Sequence, residues 1–150
     1  MEMNSQQHIA VPRDLVWAAL NDPEIIRTCI PGCESLDRLP GGDLAATVVL
    51  KVGPIKASFK GMVRFENIVA PASLTLVGQG SGGVAGHARG SADVTLEEEA
   101  GGTLLSYSVK AQVGGKIAQL GARLIHSTSQ KLAEEFFRKL GKEIGAPSAS

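Results

Sequence analysis

Hydrophobic and polar residues alternate at period two through the middle of the chain. In "IKASFKGMVRFENIV", Lys56, Lys60 and Arg64 share one parity, while Ala57, Phe59, Gly61 and Val63 share the other. Such alternation predicts a strand with one wet face and one covered face. It recurs over residues 34–39, 44–52, 55–69, 73–80, 85–98 and 103–113. The breaks between these segments are "PGGD", "GP", "AP", "SGG" and "AGG". Strands joined by short Gly/Pro turns describe an antiparallel meander.

The two ends of the chain read differently. "MNSQQHIAVP" predicts a strand that stops at Pro12. Beyond it, Leu15, Val16, Ala19 and Leu20 recur at helical spacing. Asp22 caps a second short helix, with Pro23 at its first position and Glu24 in its first turn. After the meander, Ile117, Leu120, Leu124, Leu132, Phe136 and Leu140 form one apolar stripe along a predicted helix of roughly 25 residues. That stripe is the one large apolar surface able to cover the concave side of a curved sheet. One strand, two short helices, six more strands and a long helix make an α+β domain over residues 1–145. This is the element order of the helix-grip, or START-like, fold: a curved antiparallel sheet of about seven strands around the C-terminal helix. The tail "APSAS", residues 146–150, reads as disordered.

Composition sharpens this picture. Glycine reaches 18 residues, while aromatic residues make up 4% of the chain. The inward parity carries Gly78 and Gly80, then Ala88, Gly90, Ala92 and Val94, then Tyr107, Val109 and Ala111. The opposite parity carries His87, Arg89, Asp93 and Lys110. A face of Gly and Ala cannot fill the space beneath a helix as Leu and Phe would. Either the helix approaches closely near Gly121 and Ala122, or an apolar cavity remains. A sheet that closes on the helix at one end and gapes at the other favours the cavity. Its expected lining is Phe59, Gly61, Val63, Gly78, Gly80, Ala88, Gly90, Tyr107, Val109, Leu120 and Leu124.

Candidate chemistry is sparse. "GQGSGG" has the G-x-G-x-x-G spacing, but a strand pattern follows it where a dinucleotide site requires a helix. It reads as a hairpin turn. Cys29 and Cys33 form C-x3-C with no second ligand pair nearby, and the three histidines fall in separate elements, so no zinc set assembles. "CIPGCE" reads as a structural turn with reduced thiols. Asp93 and Glu97 share a strand face about 13 Å apart, too far for a paired acid and base. No nucleophile elbow, P-loop or H-E-x-x-H is present, and no catalytic residue is assigned.

Several stretches together resemble the carbon monoxide dehydrogenase CoxG-subunit family of the START-like (SRPBCC) superfamily. They are "DPEIIRTCIPGCESL", "LKVGPIKASFKGMVRFENI", "GQGSGGVAGHARGSADVTLEE" and "GGKIAQLGARLIHSTSQKLAEEFF". The resemblance runs to about residue 140. It implies a non-enzymatic accessory protein for a molybdenum hydroxylase complex, linked to membrane attachment of that enzyme and to a lipophilic electron acceptor. No covalent cofactor is expected; the expected ligand is a bound isoprenoid quinone or similar lipid. Two other functions stay open on the residues alone. One is an assembly factor with a collapsed interior; the other is a START-like cyclase or hydrolase working through Tyr107.

Charge adds an orientation. Basic and acidic residues balance at 15 each, which argues against a nucleic-acid partner. Meander topology nevertheless gathers Lys51, Lys56, His87, Arg89, Lys110, Lys116 and Arg123 at one end, with Glu34 the main acid there. It gathers Asp37, Asp43, Glu66, Glu97, Glu98 and Glu99 at the other. Each cation near an anionic leaflet contributes about 1 kcal/mol. Lys56, Arg89 and Lys116 are therefore expected to face an anionic membrane surface. With two cysteines and no run of 18 apolar residues, the expected location is the cytoplasm, peripheral to the inner face of the cell membrane.

Overall fold

Strand pairing runs without a break from one edge of a seven-stranded sheet to the other, in the order β1-β7-β6-β5-β4-β3-β2. The strands are β1 (Glu2–Ile9), β2 (Cys33–Arg38), β3 (Leu44–Val52), β4 (Ile55–Val69), β5 (Ser73–Ser81), β6 (His87–Glu99) and β7 (Gly102–Gly114). Every pair is antiparallel. This computed structural model describes residues 1–145, and the expectation for 146–150 lies outside them. The helix-grip architecture read from the sequence is the one observed: a curved sheet, two short helices after the first strand and a long terminal helix.

Local chemistry accounts for the elements. In α1 (Arg13–Leu20), Val16 and Ala19 are buried, while Leu15 of the predicted stripe points outward. The Asp22 carboxylate accepts from the Glu24 amide at 3.0 Å, and Pro23 opens α2 (Pro23–Cys29). These helices carry the chain from β1 at one edge to β2 at the opposite edge. Bulges between Cys33 and Ser35 and between Glu66 and Val69 bend the edge and the longest strand. Asn67, at φ 51°, takes the left-handed turn of the second bulge.

One expected element divides. The predicted terminal helix begins as a 3-10 turn, Lys116–Leu120, and stops at Gly121 with φ 97°. The α-helix α3 then runs Ala122–Gly145. Left-handed backbone at Gly121 separates the 3-10 turn, whose Ile117 is buried against Gly86, from the stripe that continues from Leu124. A Cβ on Gly121 would meet nothing within 4 Å, so no close helix–sheet approach occurs there.

The closed core sits at one end. Val16, Cys29, Leu96, Thr103, Leu105 and Leu140 are fully buried. Tyr107 stacks on Phe137 with ring centroids 4.8 Å apart, and Phe136 meets Phe137 edge-on at 5.0 Å. The buried Thr103 hydroxyl donates to the Val11 carbonyl at 2.7 Å, tying β7 to the β1–α1 junction. Toward the other end of the sheet the inward residues are only half buried. Phe59, Val63, Ala88, Val109 and Ala111 on the sheet, and Leu124, Ile125 and Leu132 on α3, are all in this state.

Candidate functional site: an apolar trough on the concave face

Register builds the trough. Gly61 pairs with Gly80 and Val63 with Gly78. Gly78 then pairs with Gly90 and Gly80 with Ala88, and Gly90 pairs with Ala111. Two adjacent rows of the sheet thus have almost no side chains on their inner face. The result is an open hollow of about 350 Å³, lined by Val63, Leu76, Gly78, Gly80, Ala88, Gly90, Ala92, Val109 and Ala111 together with the intervening β5 and β6 chain. No residue of α3 contributes to its wall. The helix is anchored at its C-terminal half, where Phe137 and Leu140 are core residues and Phe136 packs against them, while at its N-terminal end Leu124 lies against the β3–β4 turn.

Of the lining expected from sequence, Val63, Gly78, Gly80, Ala88, Gly90 and Val109 come together here. Gly61 lies one strand position away, beside Gly80. Phe59 stands at the end of the trough, where a Cβ on Gly82 would lie 2.6 Å from its ring. Leu120 and Leu124 lie over the β3–β4 turn; a Cβ on Gly53 would fall 2.8 Å from Leu124 Cδ2 and 3.8 Å from Leu120 Cδ1. Tyr107 is in the closed core and not in the trough wall. Leu76 is a wall residue absent from the sequence-derived lining, although it precedes Gly78 at the same parity. Ala92 and Ala111, on the inward parity but outside that expected lining, also join the wall.

The sheet end away from the closed core, the mouth side of the trough, carries the β3–β4 turn, the β5–β6 connection and the segment after β7. The α2–β2 turn belongs to this end, with the Val49 amide donating to the Gly32 carbonyl at 2.9 Å. Lys51 and Lys56 pair directly across the β3–β4 hairpin. Arg89 lies on the outer face, its guanidinium donating twice to Gln112 Oε1 at 3.1 and 2.9 Å. Lys116 begins the 3-10 turn. Among the described residues, none of Lys51, Lys56, Arg89, Lys116 or Arg123 has a carboxylate within 4.0 Å. At the opposite end, His8 meets Glu99 at 3.4 Å, Arg13 meets Glu98 at 4.0 Å and Arg64 meets Glu66 at 2.7 Å.

Titratable groups are scarce near the trough. Burial pushes the Cys29 thiol up to about 11, with the Glu143 charge adding to it and Lys139 opposing it. Burial also raises Cys33, opposed by a backbone hydrogen bond from Ser35 and by the Arg27 charge. Both are free thiols. Among the described residues no group of three His, Cys, Asp or Glu side chains is placed to hold a metal ion. No helix among them is long and apolar enough to cross a membrane.

The family model for the CoxG subunit of carbon monoxide dehydrogenase matches residues 6–145. A conserved protein from Geobacillus kaustophilus is similar in structure, with a TM-score of 0.90, at 28% identity over 96% of this chain and 95% of that one. A protein from Chromobacterium violaceum superposes with a TM-score of 0.71 at 15% identity, covering 97% of this chain and 99% of its own. One from Thermus thermophilus does so at 0.70 and 16%, covering 96% and 97%. At those two identities the likeness is one of fold. No curated protein matches the sequence.

Proposed function

The chain belongs to the carbon monoxide dehydrogenase CoxG-subunit family, and from that membership we propose a non-enzymatic accessory protein of a molybdenum hydroxylase of the carbon monoxide dehydrogenase type. Its task in this reading is to bind a hydrophobic small molecule, an isoprenoid quinone or a lipid, and to help associate the enzyme with the membrane. One observation carries the ligand reading: a side-chain-poor trough to whose wall the long helix contributes no residue. An interior of that kind exposes apolar surface to water unless something apolar occupies it. Its volume, about 350 Å³, lies at the lower end of the range for small-molecule sites, roughly 300–1,000 Å³. That space suits a ring-sized head group or a short length of chain, with the remainder leaving through the mouth.

The wall supports binding over catalysis because it supplies backbone and methyl groups, with no acid, base or nucleophile among its inward side chains. An assembly factor that binds nothing small would have been favoured by a collapsed interior. The unpaired cations around the mouth support an orientation in which Lys56, Arg89 and Lys116 face the anionic inner leaflet of the cell membrane, so that ligand enters and leaves from that side.

Solvent extraction of the purified protein followed by mass spectrometry tests the ligand reading. Recovery of a quinone or lipid near one equivalent, and a rise in melting temperature with quinone analogues, are expected. Recovery of buffer components alone, with no thermal response to those analogues, overturns it.

A further inference from the structure

We propose that the β5–β6 connection is a membrane-inserting tip, with Val84 as the side chain that enters the bilayer and the neighbouring unpaired cations as its hold on anionic headgroups. This rests on the reading that the mouth faces a membrane, and it names the element that makes the contact. Val84 is 92% exposed, whereas the other exposed large hydrophobic residues, Leu15, Met62, Ile68 and Val69, lie between 42% and 59%. Single apolar residues on a surface are ordinary. This one stands at the centre of "GGVAG", a connection without a single polar side chain, where a solvated turn would carry Asn, Asp or Ser.

The backbone of the tip is already satisfied. The Gly82 amide donates to the Gly86 carbonyl at 2.8 Å, Ala85 to Gly82 at 3.2 Å, and Gly86 to Gly83 at 3.1 Å. The Gly83 amide donates to Ser81 Oγ at 3.5 Å. Four of the five amides between Gly82 and Gly86 therefore find partners within the loop or its stem, so moving the tip out of water strands few donors. The tip is also held in place. Gly82 abuts the Phe59 ring, Gly86 fits against Gly114 and Ile117, and the turn needs left-handed backbone at Gly83 and Gly86. A preformed apolar tip does not have to be ordered on binding.

Charge complementarity selects an anionic bilayer as the occupant. Arg89 follows the tip on β6, Lys116 opens the 3-10 turn that packs against Gly86, and Lys51 and Lys56 pair at the end of the β3–β4 hairpin, all without acidic partners among the described residues. Because the tip rests on Phe59 at the end of the trough, insertion would bring the mouth to the level of the headgroups.

Co-sedimentation of the full chain with phosphatidylcholine vesicles, with and without phosphatidylglycerol, tests this. The wild type should bind the anionic vesicles. Val84→Asp should weaken that binding about tenfold or more. Val84→Trp should keep or strengthen it, with indole emission shifted to the blue on binding. Both variants should melt like the wild type and retain the thermal response to quinone analogues in the absence of vesicles. Wild-type binding that Val84→Asp leaves intact overturns the tip while sparing charge-driven docking. Absence of vesicle binding by the wild type overturns the tip and the membrane-facing reading together, without touching the trough. Loss of the vesicle-free quinone response in Val84→Asp also overturns the proposal, because Val84 would then serve the trough and not the bilayer.

Discussion

Gly78 on β5 and Gly90 on β6 are directly paired, yet only one of them has room for a side chain. A Cβ on Gly78 would meet the Met62 carbonyl and Val63 Cγ2 at 3.5 and 3.6 Å, ordinary contact distances. A Cβ on Gly90 would fall 2.5 Å from the Lys110 carbonyl and 3.1 Å from Ala111 Cα. Gly78→Leu should therefore fold, fill the trough and abolish the thermal response to quinone analogues without lowering the melting temperature. Gly90→Ala should instead destabilise by about 1–3 kcal/mol through overpacking, read by urea denaturation. A Gly78→Leu protein that binds as well as the wild type would place the ligand elsewhere.

The stacked pair Tyr107–Phe137 belongs to the closed core. Truncating either to Ala should cost about 3–5 kcal/mol, and a double-mutant cycle should return a coupling of about 0.5–1.5 kcal/mol. Tyr107→Phe should leave ligand binding unchanged, since the ring and not the hydroxyl does the packing. Loss of a measured turnover in Tyr107→Phe would revive an enzymatic reading.

Thr103 donates its buried hydroxyl to Val11. Thr103→Val preserves shape but leaves the Val11 carbonyl without that donor, so chemical denaturation should report a loss of about 1–3 kcal/mol. A variant as stable as the wild type would mean that water reaches this carbonyl.

The thiols give a pH signature. Cys29 holds its proton more tightly folded than unfolded, at about 11 against 9.0. Its contribution to stability is thus complete below pH 9 and is lost as pH rises toward 11, with a slope of up to about 1.4 kcal/mol per unit for one proton. Cys29→Ala should remove that part of the alkaline decline in melting temperature. In the native protein at pH 8, a thiol reagent should modify Cys33 ahead of Cys29. Purified protein should carry no stoichiometric zinc, and zinc lost on Cys33→Ser would contradict the structural role given to this turn.

Reversing Lys56, Arg89 and Lys116 together to Glu should abolish co-sedimentation with anionic vesicles, and added salt should weaken wild-type binding. Binding indifferent to both changes would separate the open end from any membrane role.

Much of this was legible in the sequence because a strand has only two faces. Once Lys56, Lys60 and Arg64 take the outer parity of β4, Phe59, Gly61 and Val63 must take the inner one, and short Gly/Pro turns leave little choice but antiparallel neighbours. The same constraint placed Gly78, Gly80, Ala88 and Gly90 on one surface, and the alternating turns of the meander separated the basic and acidic ends. Tertiary structure decided how far the helix covers that surface. Periodicity could not foresee the break at Gly121, because Ile117 and Leu120 before it keep helical spacing with Leu124 after it, although the backbone between them turns left-handed. Nor could parity separate Tyr107 from Val109: both point inward on β7, but Phe137 descends onto the first and leaves the second open. Whether an inward residue becomes core or cavity wall depends on what arrives from the opposite side, and that partner lies some thirty residues away in the chain.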